Sequence, residues 1–159
     1  MESTDLYIVR QRFFIGICIH DISVLVLILA QGAYHALVGQ NLPDPSSEDY
    51  TPILFYKARA HIAVGDTKTV TSLIPNDTEN VALKAVAVFA NYISDPEGDA
   101  ALEELRDLCV EIEGDDVEAT VQEKGWVRVV AGTAFARANE IEEALETLGA
   151  ESTTKNLEA

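Results

Sequence analysis

The chain has 159 residues and a mass of 17.3 kDa, with 48% hydrophobic and 24% charged residues, which places it among folded globular proteins of single-domain size rather than disordered or fibrous ones. Eleven Lys and Arg against 27 Asp and Glu leave a net charge of −16 and a pI near 4.3, which argues against direct binding to nucleic acid or to anionic lipid headgroups. The two cysteines, Cys18 and Cys109, form no Cys-x-x-Cys arrangement, so neither a disulfide scaffold nor a zinc site is indicated, and a reducing, cytosolic setting is expected.

In chain order, the first conspicuous segment is Ile22 to Ala30, nine residues of nearly pure aliphatic character. A spanning helix needs about 20 apolar residues. Extending the run backwards meets Asp21 and His20, which argues against a membrane span. It also starts late and follows Glu2 and Asp5, which argues against a signal peptide. Gly39 to Thr51, with Pro43, Pro45 and two serines, reads as an exposed loop.

Beyond the loop, apolar periodicity predicts helices separated by turn residues. One runs from Pro52 to Val64 and stops at Gly65-Asp66; a shorter one spans Thr67 to Ile74 and is closed by Pro75. Asp77 or Thr78 is expected to cap a third, in which Ala82, Val86, Phe89, Ala90 and Ile93 share one face and Val81, Ala85, Val88 and Tyr92 another, so that it must be sandwiched between neighbours. A fourth, about Asp99 to Glu113, carries Ala101, Leu105, Leu108 and Ile112 inward and Glu103, Glu104, Arg106 and Asp107 outward. The last two run from about Asp116 to Arg137 and from about Glu140 to Leu148, turning at Ala138-Asn139. At least five helices and no sheet are expected, with hairpins turning near Gly65 and Asn139.

Chemistry-bearing motifs are sparse. His20, His35 and His61 are isolated from one another, and no phosphate-cradling glycine loop or nucleophile elbow occurs, so no metal or cofactor is expected. Glu113 to Glu118 lacks calcium-loop spacing, Cys109 faces inward on its helix, and His61 reads as a packed or partner-facing residue. Adjacent carboxylates such as Glu142-Glu143 read as a solvated face.

A helix-hairpin repeat does stand out. Leu54, Ala58, His61, Gly65, Val70 and Ile74 fall at the spacing of a tetratricopeptide hairpin, and Gly132, Phe135, Asn139, Ile141, Ala144 and Leu148 repeat it in register. The fold class expected is all-α: a tetratricopeptide-like helical-hairpin solenoid, a right-handed α-α superhelix forming one domain over 1–159. The concave positions would be Phe55, Arg59 and Ile62 on the first hairpin and Trp126, Val129 and Thr133, with Ala136, on the last, an apolar groove for another protein. With Arg59 the one basic residue among them, a carboxylate clamp of the co-chaperone kind is disfavoured. A generic helical bundle, another tetratricopeptide adaptor, and an enzyme with a convergent titratable cluster remain the alternatives.

Three stretches carry a closer likeness. Ala85-Val-Ala-Val-Phe-Ala-Asn-Tyr-Ile93 resembles the characteristic helix of the epsilon-subunit family of coatomer, the COPI vesicle coat; Leu54-Phe-Tyr-Lys-Ala58 resembles that family's preceding repeat, and Phe13-Phe-Ile-Gly16 its first helix end. The resemblance implies a non-enzymatic scaffold subunit, cytoplasmic and peripheral on Golgi membranes and COPI vesicles. It would clasp the C-terminal region of the coatomer alpha subunit in retrograde Golgi-to-endoplasmic-reticulum and intra-Golgi transport, touching membrane only indirectly. Relative to the family the chain stops at Ala159 before further repeats, so part of the clasp and an apolar solenoid face are expected to be left open.

The family pattern would also join Phe13-Phe-Ile-Gly16 directly to Ala33-Tyr-His-Ala-Leu-Val38, whereas here the sixteen residues Ile17 to Gly32 intervene and the glycine turn is expected to be lost. The insert reads as foreign to the ancestral fold, the product of a retained intron or another gene-model artefact, the alternative being a genuine extra helix buried against the first repeat; if translated, it must pack across the solenoid or expose an aggregation-prone run. Deleting residues 17–32 is therefore expected to leave helicity intact and raise solubility; a deletion variant that unfolds while the full chain stays monomeric would overturn this.

Overall fold

The computed structural model describes residues 32–114 and 116–149, and every regular element among them is a helix: α1 (Tyr34–Val38), α2 (Tyr50–Ala63), α3 (Thr67–Leu73), α4 (Val81–Ser94), α5 (Ala100–Glu111), α6 (Val121–Arg137) and α7 (Ile141–Thr147). Contacts divide the chain into two compact units, one ending at Val64 and the other beginning at Gly65.

In the first unit α1 packs on α2. Residues 17–31 of the apolar insert lie outside the described residues, but Gly32, its last member, stands just ahead of α1 with φ 71. Gly16, whose turn is expected to be lost, lies outside the described residues as well. Gly32 adopts the left-handed conformation that a side chain would resist. Between the helices, Ser46 donates from its backbone N and its Oγ to Asp44 Oδ1 at 2.9 and 2.6 Å, and Lys57 Nζ donates to the Gln40 carbonyl at 2.6 Å, tying the loop to α2. Helix α2 begins at Tyr50, ahead of the expected Pro52. Pro52 falls in the first turn, where an N–H has no intrahelical acceptor to lose. The helix buries Ile53, Leu54, Phe55, Tyr56, Ala58, Ala60, His61 and Ile62, a distribution that covers most of its circumference.

In the second unit Asp66 caps α3, its Oδ1 accepting from Thr69 N at 3.3 Å and its Oδ2 from Thr69 Oγ1 at 2.6 Å. The helix ends one residue short of Ile74, whose extended backbone (ψ 114) is the conformation that the following Pro75 imposes. Helix α4 is capped by Asn80 rather than Asp77 or Thr78, because the helix starts only at Val81, after a turn in which Thr78 N donates to the Pro75 carbonyl. Asn80 Oδ1 accepts from the Ala82 and Leu83 amides, both at 3.1 Å. As expected from its two apolar faces, α4 is sandwiched, packing against α3, α5 and α6.

Helix α5 buries Leu102, Leu105, Leu108 and Ile112; Leu102 takes the inward place expected of Ala101, a rotation of one residue. Helix α6 starts at Val121, five residues later than expected, because Thr120 and Glu123 form a capping box that fixes the first turn there: Glu123 N donates to Thr120 Oγ1 at 3.2 Å and Thr120 N to Glu123 Oε2 at 2.8 Å. Asn80 Nδ2 then donates to Glu123 Oε1 at 2.7 Å, which joins the starts of α4 and α6 and sets these contacting helices side by side in the same direction. The hairpins α4–α5 and α6–α7, with their first helices adjacent, are the stacking expected of tetratricopeptide-like repeats.

The α6–α7 hairpin turns where expected. Asn139 has φ 66, its N–H donates to the Ala136 carbonyl at 3.2 Å, and Glu140 N donates to the Phe135 carbonyl at 2.9 Å, the paired bonds of a Schellman ending. A Cβ built on Gly132 would lie 2.6 Å from Leu148 Cγ, so the small residue lets α7's end seat on α6. A Cβ on Gly125, in the same helix, would meet nothing within 4 Å. Gly125→Ala is therefore expected to stabilise the fold by up to ~1 kcal/mol through helix propensity, while Gly132→Ala is expected to forfeit that gain by displacing Leu148; urea midpoints of the two variants check that only Gly125→Ala is raised.

Candidate partner-binding surface

The six residues expected to line a groove fall on α2 and α6, which belong to different units. On α2, Phe55 is fully buried and Ile62 nearly so, at 0% and 8% exposure, while Arg59 is half-buried with its guanidinium carbon 5.8 Å from the Phe55 ring centroid. Phe55 thus forms a floor, and Arg59 is the member of the trio that reaches outward.

On α6, Trp126, Val129, Thr133 and Ala136 follow one another at three- and four-residue intervals, which aligns them on a single stripe. Val129 and Ala136 are exposed and Trp126 and Thr133 half-buried, whereas Val127, Val130, Ala131, Ala134 and Phe135 fill the opposite side. Thr133 Oγ1 donates to the Val129 carbonyl one turn back, at 2.6 Å, so its hydroxyl is satisfied within the helix. The stripe is consequently neutral and mostly apolar in a chain of net charge −16. A further apolar row, Ile141, Leu145 and Leu148, lies about half exposed at the start, middle and end of α7.

One guanidinium holds the helices behind the α6 stripe together. Arg106 of α5, expected to point into solvent, is half-buried instead: Nε donates to Glu143 Oε1 at 2.8 Å, Nη2 to Glu143 Oε2 at 3.0 Å and to Glu140 Oε2 at 2.7 Å, and Nη1 to Glu103 Oε1 at 2.5 Å. Its guanidinium carbon also lies 5.4 Å from the centroid of Phe135 in α6. The expected outward position fails because Arg106 borders the apolar stripe, where its stem packs and its fork can reach α7. Its hydrogen bonds hold the Glu143 carboxyl below the ordinary value of 4.5.

Cys109 borders a cleft of about 650 Å³ that is also lined by Val110, Arg128 and Leu148. Burial, assisted by Glu113, raises the thiol's pKa and keeps it protonated, which suits a packing residue rather than a nucleophile. His61 is buried in α2, and no group of three His, Cys, Asp or Glu among the described residues could hold a metal ion. Nor is any helix among them long and apolar enough to cross a membrane. The Asn80 cap and the Arg106 cluster are not legible in the sequence, although Thr120-x-x-Glu123 is a capping-box signature that locates the start of α6.

Comparison with known proteins adds the following. The chain matches the family described as coatomer epsilon subunit over residues 2–159. It is 31% identical over 117 residues to Coatomer subunit epsilon-1 of Arabidopsis thaliana, an alignment covering 72% of this chain and 37% of that protein, so the match spans little more than a third of the relative's length. No solved structure matches.

A carboxyl whose pKa is depressed by folding contributes stability above its unfolded pKa and loses it as the pH falls through the folded value. Stability is therefore expected to decline as the pH drops below about 4.5, the ordinary value for Glu143. Arg106→Met, which keeps a stem over Phe135 but removes the fork, is expected to flatten that decline and to cost about 1 kcal/mol at neutral pH, screening of these partly exposed groups included. Urea unfolding at several pH values measures both effects.

Proposed function

Because the chain belongs to the coatomer epsilon subunit family, we propose that it is a non-enzymatic scaffold subunit of the COPI coat that holds the coatomer alpha subunit. On this reading it resides in the cytoplasm, reaches Golgi membranes and COPI vesicles only through the coat, and serves retrograde Golgi-to-endoplasmic-reticulum and intra-Golgi transport. The observation that carries the reading at residue level is the α6 stripe, with Trp126, Val129 and Thr133 forming a neutral strip on a strongly acidic chain. Helix α6 is held at its start by the Asn80–Glu123 hydrogen bond and near its end by Gly132 and Leu148, so the strip is presented by a braced element. A braced strip loses little conformational freedom when a partner docks. Phe55, Arg59 and Ile62 form the contact on α2, with Phe55 and Ile62 supporting and Arg59 touching.

Apolar anchors near the centre of an interface contribute most of its affinity. Trp126→Ala is expected to weaken capture of the C-terminal region of the coatomer alpha subunit by on the order of 2 kcal/mol or more, with the circular dichroism of the free chain unchanged. Wild-type capture by a folded Trp126→Ala chain would remove the α6 stripe from the interface. Failure of the unmodified chain to capture the alpha subunit would overturn the reading itself.

A further inference from the structure

Arg59 sits in the middle of α2, one turn after Phe55. Its guanidinium rests 5.8 Å from the centroid of a fully buried ring, which supplies a floor that orients the cation, and its side chain is half-buried. No carboxylate or carbonyl of the described residues accepts a hydrogen bond from it, and the titratable groups that act on it are the phenols of Tyr56 and Tyr34, not carboxylates. Burial lowers its pKa as a result, whereas Arg106, surrounded by glutamates, is shifted the opposite way. The chain has 27 Asp and Glu, yet α2 contains none. A cation partly withdrawn from water without a counter-charge is an incomplete ion pair.

Resting on the reading given under Proposed function, we propose that Arg59 recognises a carboxylate of the partner, an Asp or Glu side chain in the segment that docks on α2. A planar fork held over a ring matches one carboxylate edge-on, forming two parallel hydrogen bonds. A chain-terminal carboxylate fits less well, because gripping it usually takes several donors and Lys57, the other cation of α2, is committed to the Gln40 carbonyl at 2.6 Å. Arg59 therefore gives the α2 contact a charged specificity element beside the apolar Phe55 and Ile62.

Calorimetric titration of the full chain with the C-terminal region of the coatomer alpha subunit tests this. Arg59→Met, which keeps an apolar cover on Phe55, is expected to weaken binding roughly tenfold or more, as loss of a charge-assisted hydrogen bond does. Arg59→Lys should restore only part of the loss, since an ammonium lacks the fork, and amidating the partner's C-terminus should change nothing. In the free chain, Arg59→Met should melt no lower than the unmodified protein, because no ion pair with the described residues is broken. Unchanged affinity of Arg59→Met beside a binding wild type overturns the inference and leaves the α6 interface standing; a lowered melting temperature of the free variant overturns it by showing Arg59 committed to the fold; and loss of binding on amidation overturns the side-chain assignment. No binding by the unmodified chain overturns the proposed function, and this inference with it.

Discussion

The side-chain amide of Asn80 closes the start of α4 with its oxygen and reaches, through its nitrogen, the carboxylate that closes the start of α6. Each helix would otherwise leave its first N–H groups without an intramolecular acceptor. Sharing one bridge satisfies donors at both ends and aligns the two starting points, so the directions and the register of α4 and α6 follow from a single 2.7 Å hydrogen bond. Burial disfavours the charged form of Glu123, but the Thr120 backbone and Asn80 donors outweigh it and hold the carboxyl below its ordinary pKa. The second unit is built on this alignment. Helices α5 and α7 fold back from parallel partners, and α6 turns its buried side to them while its opposite stripe faces solvent.

Cations are few on this chain, eleven against 27 acids, and where each one sits is informative. Arg106 collects three glutamates and lies over Phe135, so one residue links α5, α6 and α7. Arg137 lies 6.0 Å from the Phe89 ring centroid, covering buried aromatic surface with its stem. Arg59 covers Phe55 and collects no glutamate among the described residues. The charged groups therefore brace the surface rather than form it, and the α6 stripe is left neutral. On the proposed reading, acidic surroundings would discourage nonspecific contact with phosphate or lipid, while a short apolar strip on a fixed helix would discriminate by shape.

The family resemblance is clearest in Ala85 to Ile93, and the structure gives this a physical basis. That stretch lies in α4, where Val81, Ala82, Leu83, Ala85, Val86, Val88, Phe89, Ala90 and Tyr92 are all buried. A helix enclosed by three neighbours must place small residues where backbones approach and large ones where gaps remain, which constrains nearly every position. The family's signature is thus a packing pattern, and it offers no reactive group from which an activity could be read.

The sequence by itself determined the helical class, the turns at Gly65 and Asn139, the sandwiched character of α4 and the small residue at Gly132, because apolar periodicity and left-handed turn residues are local properties of the chain. It placed Trp126, Val129 and Thr133 on one stripe for the same reason. Tertiary structure alone decided that Asn80 rather than Asp77 or Thr78 would cap α4, that Arg106 would turn inward, and that Phe55 would be fully buried. Each of these depends on a group distant in sequence or on burial from more than one side: a carboxylate 43 residues away for Asn80, glutamates 34 and 37 residues away for Arg106, and enclosure of the α2 ring for Phe55. Periodicity along a helix specifies which residues share a face; which faces meet, and which charges find a partner, is settled only when the helices pack.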